Sequence, residues 1–89
     1  MDKKIFNEYI TEMYNELKKA EHCILFKQNK LNLSGELLHD IILYLNEKLD
    51  KLKMDNKDEL RYFIVFLMNM AFKDKRKNFY KNNLIFKNY

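Results

Sequence analysis

The chain has 89 residues, 17 Lys plus Arg against 13 Asp plus Glu, a formal charge of +4, and 47% hydrophobic residues. That size builds one domain, and that apolar fraction excludes intrinsic disorder as the state of the whole chain. A single glycine excludes the glycine-rich loops that cradle phosphates, and a single cysteine excludes a disulfide-stapled secreted fold.

The first eight residues turn polar at once and lack the apolar stretch of a signal peptide. Phe6, Ile10, Met13, Leu17, Ala20 and Ile24 then recur at spacings of four and three, the stripe of an amphipathic helix over about 3–25, widened by Ile5 and Tyr9. Asp2 stands where it favours the helix dipole. The pattern lapses over 27–33, which reads as a loop.

Ser34 is the expected N-cap of a second helix over about 35–54, with Glu36 in its first turn and Leu33 placed to staple onto Leu38. Leu38, Ile42, Leu45, Leu49 and Leu52 form its stripe, broadened by Leu37, Ile41 and Leu43. Residues 55–58 break it. Asn56 followed by Glu59 has capping-box spacing and opens a third helix over about 57–78. Residues 62–68 are apolar all round, which suits a central helix or one covered by another chain. Their β-branched and aromatic content also suits a buried strand, but the length of the run and the preceding cap favour helix. The densest apolar run, 62–72 with Asn69 inside it, falls short of the roughly 18 residues that span a bilayer. The expected fold is therefore all-α. A small three-helix bundle occupies 1–72, and a basic, aromatic extension over 73–89 has room for a short fourth helix.

Charge is distributed unevenly. Residues 1–69 hold 11 basic and 12 acidic side chains, whereas 70–89 hold six basic residues against Asp74 alone. Phe72, Phe79, Tyr80, Phe86 and Tyr89 are interleaved with those cations. The combination suits single-stranded nucleic acid, with cations for phosphates and ring faces for bases. It equally suits an acidic groove on a protein. It also arises where lysines solubilise a helix C-terminus and aromatics pack beneath them. Fifteen of the 17 basic residues are lysine, and Lys, Asn, Ile, Phe and Tyr abound, as AT-rich codon usage dictates. Arginine, favoured for bidentate recognition of phosphate and guanine, is scarce.

Other constellations carry less chemistry. His22 and Cys23 are adjacent on a helix and point apart, so with His39 they make a poor metal site; Cys23 is expected to be a small buried hydrophobe near the helix end. Glu36, His39 and Asp40 share a face near Ser34, but no oxyanion hole accompanies them, and carboxylates in a first turn are what the dipole favours. Within 45–52, Leu49 and Asp50 match the Ser-Gln-Glu-Leu-Asp signature of small sporulation aspartyl-phosphate phosphatases. Asn46, Glu47 and Lys48 break that signature, and membership is set aside.

The sequence thus leads to a cytoplasmic, non-enzymatic protein with no cofactor or metal and no membrane span. In size and composition it resembles phage or mobile-element inhibitors, which implies a stoichiometric regulator that binds a nucleic-acid-handling protein. Partner contact is expected at Lys73, Lys75, Arg76, Lys77, Phe79, Tyr80 and Lys81, and Tyr62, Phe63 and Phe66 form a candidate dimer or partner interface. The alternatives are direct DNA or RNA binding and a helical bacteriocin-immunity-like protein.

Overall fold

The computed structural model describes residues 1–54 and 56–72. Among them there are helices and no strands: α1 (Lys3–Lys27), α2 (Glu36–Glu47) and α3 (Lys57–Met70), with single 3-10 turns at Leu31–Leu33 and Leu49–Lys51. Residues 62–68 are thus helical. No helix among the described residues is long and apolar enough to cross a membrane.

α1 starts where Asp2 accepts a hydrogen bond from Lys4 N at 2.7 Å. It ends in a Schellman motif. Lys30 N donates to Leu25 O and Asn29 N to Phe26 O, while Asn29 takes the left-handed conformation at φ 56 that usually falls to glycine. The buried line along α1 is Phe6, Ile10, Met13, Leu17, Glu21 and Leu25. The stripe expected through Ala20 and Ile24 has slipped by one position at its end, and those two residues are half-buried. A repeat of 3.5 residues drifts about 20° per heptad against a helix of 3.6, so over three heptads the facing residue changes.

α2 is shorter than the stretch expected over 35–54. It closes at Glu47, and the chain continues as the 3-10 turn Leu49–Lys51. Leu49 O there accepts from Leu52 N rather than from a residue four positions on, and it also receives the Met1 ammonium at 2.6 Å. The same ammonium donates to Leu52 O at 3.1 Å. These two bonds fasten the start of α1 to the end of α2, so the two helices are antiparallel. Leu37, Leu38, Ile41 and Leu45 are buried. Leu43, expected to broaden that apolar face, points outward at 49% exposure.

α3 opens on Asn56, whose side chain accepts from Glu59 N at 2.9 Å as the spacing implied. Leu60, Ile64, Leu67, Met68 and Ala71 complete the core with the buried residues of α1 and α2. Lys57 reaches Glu12 at 2.8 Å and Arg61 reaches Glu16 at 3.0 Å. Both pairs carry the same sequence offset, so α3 runs parallel to α1. One end of the bundle therefore holds the exit of α1, the entry to α2 and the exit of α3.

Candidate functional site

Each helix of a three-helix bundle is covered by two neighbours, which leaves an outer face. On α3 that face carries Asp58, Glu59, Tyr62, Phe66 and Asn69, all exposed. Tyr62 and Phe66 lie one turn apart, 68% and 52% exposed. Phe63 and Met70 flank them on one side and Val65 on the other, all half-buried. Of the three aromatics expected at an interface, the structure presents Tyr62 and Phe66 to solvent and turns Phe63 partly into the bundle.

The electrostatics of this face come from its α1 edge. Arg61 bonds to Glu16, sits 3.4 Å from Asp58, and lies over the Tyr62 ring at 5.3 Å. A guanidinium above a ring face is attracted by the ring quadrupole, which helps to hold Tyr62 in its outward position. The hydrogen bond that Arg61 donates to Glu16 raises the Arg61 pKa, and the hydrogen bond to Glu12 and its charge raise that of Lys57. Both cations are thereby fixed as charged anchors between α1 and α3.

The seven residues expected to bind a partner, Lys73, Lys75, Arg76, Lys77, Phe79, Tyr80 and Lys81, lie outside the described residues. Phe72, which immediately precedes them, is half-buried against the core.

A second exposed apolar surface stands at the end of the bundle where α1 gives way to α2. Phe26 is 68% and Leu31 43% exposed, and Lys27 and Lys30 beside them are exposed as well. The sequence pattern ended the first helix at about residue 25, read 27–33 as a loop, and gave no reason to single these residues out. The available signal was an apolar residue one step off the core stripe at a helix end.

Cys23 corrects an expectation. It is exposed on the outer side of α1 rather than buried, because the drift of the stripe turns position 23 outward while Glu21 turns in. His22 and His39 are exposed too. Among the described residues no group of His, Cys, Asp and Glu could hold a metal ion. Glu36 and His39 are exposed and Asp40 half-buried on α2, along the solvated side of the helix. A shallow depression along the first turns of α1, lined by Asp2, Lys4, Asn7, Glu8 and Glu12, is open to solvent, and one helix supplies all its described walls.

The N-cap of α2 is a further correction. Ser34 closes the preceding 3-10 turn and makes no capping bond to α2; Gly35, at φ 86, occupies the cap position. The capping acceptor comes instead from α1. Glu21 is fully buried, and its two carboxylate oxygens accept from Gly35 N at 2.9 Å and Leu38 N at 2.8 Å. An anion on the N–H groups at a helix start satisfies donors that have no partner within the helix and meets the positive end of its dipole. Lys18 Nζ stands 4.0 Å from the same carboxylate. The hint in the sequence is an acid in core register, four residues after Leu17 and four before Leu25.

The chain matches no protein-family model, no curated protein and no solved structure.

Proposed function

We propose that this protein is a cytoplasmic, non-enzymatic, stoichiometric regulator or inhibitor that binds a nucleic-acid-handling protein through α3 and the basic segment following it. The observation that carries this reading is the outward placement of Tyr62 and Phe66 on α3, a few residues before the cations of 73–81. Large aromatics are the residues that most often anchor a protein interface when they become desolvated. A run of lysines beyond them supplies the polar, positively charged rim that steers association with an acidic partner. The resemblance in size and composition to phage and mobile-element inhibitors supports the choice of an inhibitor.

Affinity purification from the native host tests the reading with three forms: the full chain, a chain lacking 73–89, and Tyr62→Ser/Phe66→Ser. A dominant partner that is retained by the full chain and lost by both altered forms is the expected result. An unchanged set of proteins in all three sinks the proposal. Sedimentation of the purified chain decides whether the α3 face is closed by a second copy instead. Binding of a fluorescent oligonucleotide that weakens steeply with salt would replace the protein partner with DNA or RNA.

A further inference from the structure

We draw no further inference here: the strongest candidate, the outward face of α3 around Tyr62 and Phe66, belongs to the site already described, and nothing among the described residues shows what covers it.

Discussion

α1 is tied to its two neighbours by opposite means. Toward α3 the polar ties are the ion pairs Lys57–Glu12 and Arg61–Glu16, whose carboxylates are more than half exposed. Toward α2, besides the Met1 ammonium on Leu49 O and Leu52 O, the side-chain tie is the carboxylate of Glu21, with no exposed surface and two backbone N–H partners. The geometry of these side-chain contacts is good, with distances of 2.8–3.0 Å. Their surroundings differ. Water competes for both members of an exposed pair and salt screens them, so such pairs contribute little. A buried anion cannot return to water while the fold stands, and the N–H groups it serves have no other acceptor. The number of polar contacts between helices is therefore a poor guide to which junction holds the bundle together.

The largest expected effect follows from removing the buried acceptor. Glu21→Ala leaves Leu38 N and Gly35 N without it and opens a void in the core, and urea unfolding is expected to show a loss of about 3 kcal/mol. Glu21→Gln keeps one acceptor oxygen and turns an amide NH2 toward the other N–H, so it falls between Ala and the native chain. Equal stability of all three forms would show that the α1–α2 junction rests on its apolar contacts alone. Next in size is Gly35→Ala. A Cβ there meets nothing closer than Lys18 Nζ at 3.6 Å, so the cost arises from the backbone at φ 86. Holding an L-residue in that region costs about 1–2 kcal/mol, again read from the denaturation midpoint. Asn56→Ala, which removes the cap of α3, is expected to cost about 1 kcal/mol. If it cost more than Glu21→Ala, the contrast between the exposed and the buried acceptor would fail.

These three positions also mark how far the sequence could be read. Asn56 was legible because its partner, Glu59 N, is three residues away and the cap is a local rule. The three helices were legible for the same reason: apolar spacing is a property of one segment, and it placed Phe6, Leu17, Leu38 and Leu45 in the core. The cap of α2 was not legible, since Ser34 satisfied the local rule while the acceptor came from 14 residues upstream, across the helix pair. The early end of α2 escaped too, because Leu49 and Leu52 keep the apolar spacing while the backbone has already passed into a 3-10 turn. Cys23 and Glu21 were exchanged, one outward and one inward, by a drift of under one residue that only packing resolves. For the candidate site, the sequence marked 62–72 as an apolar band, but which third of it stayed uncovered depended on the sides that α1 and α2 occupy.

The smallest effect belongs to the exposed seam, and its interest lies in its pH and salt dependence. Lys57 has a folded-state pKa raised above its ordinary 10.5, chiefly by the hydrogen bond to Glu12. A cation whose pKa rises on folding adds stability that is fully present below its unfolded value, and that stability fades as pH climbs through the folded value. Across neutral pH the pair is therefore constant, and its loss is expected only above 10.5. Lys57→Met keeps much of the aliphatic stem and removes the charge, so the native chain and the variant should unfold together near neutral pH in molar salt. A small advantage of the native chain should emerge as salt is lowered, and it should shrink again in strong alkali. Thermal midpoints measured over both series check this. An advantage that persists undiminished in molar salt would mean that this exposed pair behaves as Glu21 does, and that burial is not what separates the two junctions.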